Sequence, residues 1–118
     1  MKVIHKNLAL GRWQRLSLCE QMGNIGSEVS RVLHWQNKDQ NNFEKGIERT
    51  LELFELTLQD SRWKGQKGHL REIGRVREVF LDAIFGGKEY KTSLKDLEHY
   101  FFYFAYCARQ EIDNSLER

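Results

Sequence analysis

Not one of the 118 residues is proline, the residue that breaks helix interiors and punctuates loops. That absence suits a chain built almost wholly of helix. Cysteine is nearly as scarce. Cys19 and Cys107 are too few for a disulfide framework and both fall on apolar faces, so they read as buried thiols, with a bridge or a reactive site as the alternative. No apolar run approaches the roughly 18 residues that a membrane helix requires. The start, Met1-Lys-Val-Ile-His-Lys-Asn, lacks the apolar stretch of a secretory signal, and a reducing cytoplasm is the expected setting. Metal-ligand spacing is missing too: His5, His34, His69 and His99 form no His-x3-His pair, and there is no Cys-x2-Cys. With no strand to precede a glycine-rich phosphate loop, the expectation is a non-enzyme with no cofactor, metal or small-molecule substrate.

What is present is a single domain's worth of amphipathic helix. Hydrophobic residues make up 40% and charged residues 31%, and seven Phe, four Tyr and three Trp rule out a disordered composition. The periodicity predicts four helices over about 10–36, 42–59, 67–86 and 93–114, the first starting near Leu8 or Trp13. Leu18, Met22, Ile25, Val29 and Val32 form a heptad stripe on the first helix, beside a stripe of small residues, Cys19, Gly23, Gly26 and Ser30. Glycine in a helix costs up to about 1 kcal/mol relative to alanine. Two in one helix imply either close approach by a neighbouring helix or backbone contact with a ligand or nucleic acid.

Asn41 and Glu44 resemble a capping box opening the second helix, whose inward face is Phe43, Ile47, Thr50, Leu51, Phe54 and Leu58. Glu44, Glu48, Glu52 and Glu55 form a separate stripe, read as solvated or paired with a basic surface. Residues 60–68 read as a loop. Leu70, Ile73, Val76, Phe80, Ala83 and Ile84 face inward on the third helix, which Gly86-Gly87 closes. Ser93 and Asp96 form a second box, followed by an inward stripe of Leu94, Leu97, Phe101, Phe104, Ala108 and Ile112. Short connections favour antiparallel neighbours, so the expected fold is an all-α, up-down-up-down four-helix bundle.

The last helix is apolar over nearly its whole circumference, from Tyr100 to Ala108. A monomeric bundle covers only a stripe of each helix, so Phe102 and Tyr106, with Leu53 and Leu56 on the second helix, are candidates for a homo-oligomer interface. The rival is a wide monomer core closed over by residues 1–12. Trp13, Trp35 and Trp63, near helix ends, suit either arrangement.

A net charge of +2 conceals strong polarity. Residues 62–77 carry Arg62, Lys64, Lys67, Arg71, Arg75 and Arg77 against Glu72, a local net of +5, while residues 44–60 carry −3. Lys64, Lys67, Arg71 and Arg75 step by three, four and four, sharing one face if the third helix begins early. Such a stripe binds phosphate backbones without reading bases, and all six cations are candidate nucleic-acid ligands. Pairing with the glutamate stripe is the alternative. Arg62 and His69, separated by six residues, also match the arginine–histidine spacing of small helical ribonucleases of the HEPN class, though Trp63 stands where those carry a polar residue. Glu28 and Arg31, one turn apart near Asn24, suit a half-buried polar pair.

Gln21-Met-Gly-Asn-Ile-Gly-Ser-Glu, followed by Phe43, Ile47 and Leu51-Glu-Leu-Phe-Glu-Leu, resembles the small bacterial four-helix-bundle proteins encoded in intervening sequences of 23S rRNA genes. The accessory variability determinant of diversity-generating retroelements belongs to the same group. The likeness spans about residues 20–58. It implies a ring-like homo-oligomer, commonly a pentamer, whose basic surface engages RNA and, in the retroelement case, a reverse transcriptase. It implies no catalysis.

Overall fold

A computed structural model describes residues 11–116, among which lie five α-helices, a 3-10 turn at Trp13–Arg15 and no strand. Side chains open three of the long helices by accepting backbone N–H groups that have no helical partner. Ser17 and Glu20 cap each other reciprocally at the start of α1 (Leu18–Trp35). Asp39, not Asn41, caps α2 (Gln40–Leu58), accepting the Asn42 N–H at 3.1 Å. The difference comes from the turn before it. Asn37 takes a left-handed φ of 64°, the Lys38 and Asp39 N–H groups return to the Trp35 carbonyl, and the chain reverses sooner than its polar residues suggested. The expected box of Ser93 and Asp96 does open α5 (Leu94–Leu116).

The segment expected as a loop after α2 contains a single helical turn, α3 (Ser61–Lys64), before α4 (Lys67–Ile84). Gly86 and Gly87 close α4 with φ of 107° and 69°, values that a Cβ would strain. No helix among the described residues is long and apolar enough to cross a membrane.

Helix α1 is the centre of the packing, with α2 against one side and α5 against another, while α4 touches α2 and α5 more lightly. Met22, Ile25, Val29 and Val32 meet Leu53 and Phe54, Ile73, Val76 and Phe80, and Leu94, Leu97 and Phe101 in one buried cluster. Phe54 and Phe80, with ring centres 6.1 Å apart, join α2 to α4. Ile112, expected inside, is exposed because Cys107 is already level with the first turn of α1, and Ile112 lies more than a turn beyond. Residues 1–10, which include Leu8 and most of the segment considered for closing the core, lie outside the described residues.

The stripe of small residues is where α5 comes in. A Cβ on Gly23 would meet the Ala105 backbone at 3.6 Å, and one on Gly26 would sit 2.5 Å from Phe101 Cβ. These pairings run in opposite directions along the two helices, so α1 and α5 are antiparallel. The same proximity corrects the reading of the cysteines as separate buried thiols. Cys19 and Cys107, half-buried with Cα atoms 5.8 Å apart, are joined in a disulfide across α1 and α5.

Close packing at Gly26 has a measurable consequence. Gly26→Ala is expected to destabilise by about 1–3 kcal/mol through overpacking against Phe101. Gly74→Ala, on a helix surface with nothing near the added methyl, is expected to stabilise by up to about 1 kcal/mol. Urea unfolding of both variants checks this, and equal stability would contradict the α1–α5 contact.

Candidate nucleic-acid interface

The junction between α2 and α4 decides which cations reach the surface. Asp60, 1% exposed, follows α2 and caps α3 by accepting the Arg62 N–H at 3.0 Å. Its carboxylate also accepts Arg62 Nε at 3.0 Å, Arg62 Nη2 at 2.7 Å and Gln21 Nε2 at 3.0 Å. The bonds from Arg62 hold the Asp60 carboxyl below the usual carboxylate range, against burial, which acts in the opposite direction. The same carboxylate raises the Arg62 guanidinium.

Gln21 connects this ion pair to both buried tryptophans. Its Nε2 donates to the Trp13 carbonyl at 2.9 Å as well as to Asp60, and its Oε1 accepts Trp63 Nε1 at 2.8 Å. Trp13 Nε1 donates to Thr57 Oγ1 at 2.9 Å. Both indole N–H groups are therefore satisfied where they are buried. Arg62 completes the junction by donating to the Leu16 carbonyl at 2.7 Å and lying 4.6 Å over the Trp63 ring.

The six candidate cations thus divide. Arg62 is committed to the junction, and Arg77 pairs with Glu55 of α2 at 3.2 Å. Lys64, Lys67, Arg71 and Arg75 are exposed, and none joins an ion pair among the described residues. They do not form one continuous helical stripe, since a turn at Gly65 and Gln66 separates Lys64 on α3 from the other three on α4. The carboxylates flanking Arg75 are occupied elsewhere. Tyr90 donates its hydroxyl to Glu78 at 2.9 Å, and Tyr100 donates to Glu72. Its bond to Glu78 pushes the Tyr90 phenol up; burial and then Glu72 push up Tyr100.

Arg75 also edges a cleft of about 250 Å³ between α4 and α5, with Glu72 and Asp96 exposed beside it and Val76, Val79 and Leu97 on its apolar side. The HEPN-like pair is not arranged as an isolated dyad. His69 meets Trp63 edge-on at 5.5 Å, while the Arg62 guanidinium lies over the same indole and is bonded to Asp60.

Among the proposed interface residues, Phe102 and Tyr106 are 53% and 64% exposed, and Tyr103 beside them is 66% exposed. Leu53, at 2% exposure, belongs to the core and is unavailable to another subunit; Leu56 is half-buried against that core. Glu52 is buried too, so the glutamate stripe is not uniformly solvated. Glu28 and Arg31 do pair, at 2.7 Å, while Asn24 bonds instead to the Glu20 carbonyl.

Sequence reasoning missed Gln21 and Asp60 as a unit. The one local signal was Asp60-Ser-Arg-Trp, an acidic cap before a short basic turn. No protein-family model, curated protein or solved structure matches this chain.

A depressed Asp60 pKa gives the sign of the acid response. The folded form holds its proton less tightly than the unfolded chain, so the contribution is full above the ordinary aspartate range and is lost as pH falls through and below about 4. Asp60→Asn is expected to lose about 1–3 kcal/mol near neutral pH and to flatten the stability profile below about pH 5. Urea midpoints measured from pH 3 to pH 7 test both effects. A variant profile parallel to wild type would contradict them.

Proposed function

We propose that the chain is a non-catalytic helical scaffold that assembles with copies of itself and holds RNA by its phosphate backbone. The proposal extends to an up-down-up-down antiparallel arrangement of the four long helices. The observation that carries the RNA reading is the set of exposed cations Lys64, Lys67, Arg71 and Arg75, outside any ion pair among the described residues while Tyr90 and Tyr100 occupy the neighbouring carboxylates. Cations placed this way favour phosphate contact through counterion release. The exposed aromatic surface of Phe102, Tyr103 and Tyr106 on α5 supports self-association. The resemblance to intervening-sequence proteins adds a ring, with five subunits as its proposed number, and a nucleic-acid-processing partner such as a reverse transcriptase on the basic face. The RNA reading goes with a proposed cytoplasmic setting, in which the Cys19–Cys107 disulfide would be open to reduction.

The Arg77–Glu55 pair favours a second reading, in which the charged stripes serve packing between helices. It accounts for Arg77 but not for the four exposed cations. A ribonuclease centred on Arg62 and His69 draws less support, because the guanidinium is already bonded to Asp60 and Leu16.

Replacing Lys64, Lys67, Arg71 and Arg75 together by Gln is expected to abolish RNA binding, whereas Arg77→Gln leaves it nearly intact. For wild type, four phosphate contacts with single-stranded RNA give a slope of log K against log salt of about −3. Filter binding of an RNA oligonucleotide at several salt concentrations measures both, and undiminished affinity in the quadruple variant would overturn the assignment. Phe102→Glu with Tyr106→Glu is expected to reduce the particle mass by light scattering to that of one chain. Unchanged mass would remove the proposed interface.

A further inference from the structure

We propose that Cys19, Cys107 and Glu111, once the disulfide is reduced, form a thiolate–carboxylate site for a zinc-class divalent cation. The three side chains offer ligand atoms that all lie within 4.8 Å of one another. Cys107 and Glu111 are four residues apart on α5 and so share a face, and the stripe of small residues brings Cys19 of α1 to the same place. Cα atoms 5.8 Å apart let both sulfurs reach one ion between the helices.

The Glu111 carboxylate lies 3.7 Å from Cys107 Sγ, yet a disulfide sulfur carries no proton to donate to it. A cation between the reduced sulfurs and that carboxylate makes use of a contact that the oxidised form does not. Two sulfurs and one oxygen suit Zn²⁺ better than Mg²⁺ or Ca²⁺, which take all-oxygen sets. Both cysteines are half-buried and Glu111 is exposed, which leaves a fourth, tetrahedral position open to water. Glu20 and Glu111 line one shallow depression, and their charge favours cation approach.

The conversion balances with a dithiol reductant. The dithiol gives two electrons and two protons to the Cys19–Cys107 bond and closes into its own disulfide, leaving two protein thiols. Zn²⁺ then binds both as thiolates and releases two protons. The disulfide and the metal are thus alternative links between the same two helices.

The test titrates Co²⁺ into the full chain after reduction by a phosphine, following thiolate-to-cobalt charge transfer in the near ultraviolet. One equivalent is expected to bind and to be displaced by Zn²⁺, with no band from oxidised protein. Cys107→Ser is expected to abolish the band. Glu111→Gln, a surface change that leaves the core untouched, is expected to weaken binding at least about tenfold. No band from the reduced wild type, or equal affinity in Glu111→Gln, would overturn the site.

Discussion

One buried carboxylate, Asp60, held by the surface guanidinium of Arg62, fixes the junction where the 3-10 turn, α1, α2 and α3 meet. Asp60 accepts from Arg62 and Gln21, and Gln21 in turn holds the Trp13 carbonyl and the Trp63 indole. Taking a carboxylate out of water costs several kcal/mol unless its lone pairs are filled, and here four donated hydrogen bonds fill them. The geometry also directs the chain from α2 through α3 into α4. The start of α4, and therefore the face from which Lys67, Arg71 and Arg75 project, follows from that turn.

Close approach of a neighbouring helix marks both sides of α1. Towards α5, Gly26 admits the Phe101 side chain, whereas a Cβ on Gly23 would be in ordinary contact with the Ala105 backbone. Towards α2, Gly46 likewise admits Val32, whose Cγ2 would stand 2.9 Å from an added Cβ. Helix α4 has no such close contact. It meets α5 across a cleft bordered by Arg75 and Tyr100, and there polar side chains accumulate. Tight packing around α1 thus contrasts with the open cleft between α4 and α5.

Helix periodicity made much of this legible. Spacing alone puts Met22, Ile25, Val29 and Val32 inward, and they are buried, as are Phe54, Phe80 and Phe101. The small stripe implied either a close neighbour or a ligand, and α5 is the neighbour. What spacing does not encode is a contact between residues distant in sequence. Gln21 and Asp60 are 39 positions apart, and nothing local to either reveals the bond. Cys19 and Cys107 each looked like an ordinary buried thiol because their pairing depends on how α1 and α5 are set against each other. Leu53 falls off the inward stripe read for α2 because a helix buried by neighbours on both sides has a wider apolar face than a simple heptad allows. Charge counting likewise does not show that Arg62 and Arg77 have carboxylate partners. Composition assigns them to the basic surface, where Asp60 and Glu55 pair with them.

The dependence of the fold on the buried Asp60 carboxylate and its Arg62 partner is measured most directly by a double-mutant cycle, using Asp60→Asn and Arg62→Gln alone and together in urea unfolding. Two groups in one hydrogen-bonded network should show a coupling of about 1–3 kcal/mol, with the double variant little worse than either single one. Additive losses, with coupling near zero, would contradict the account.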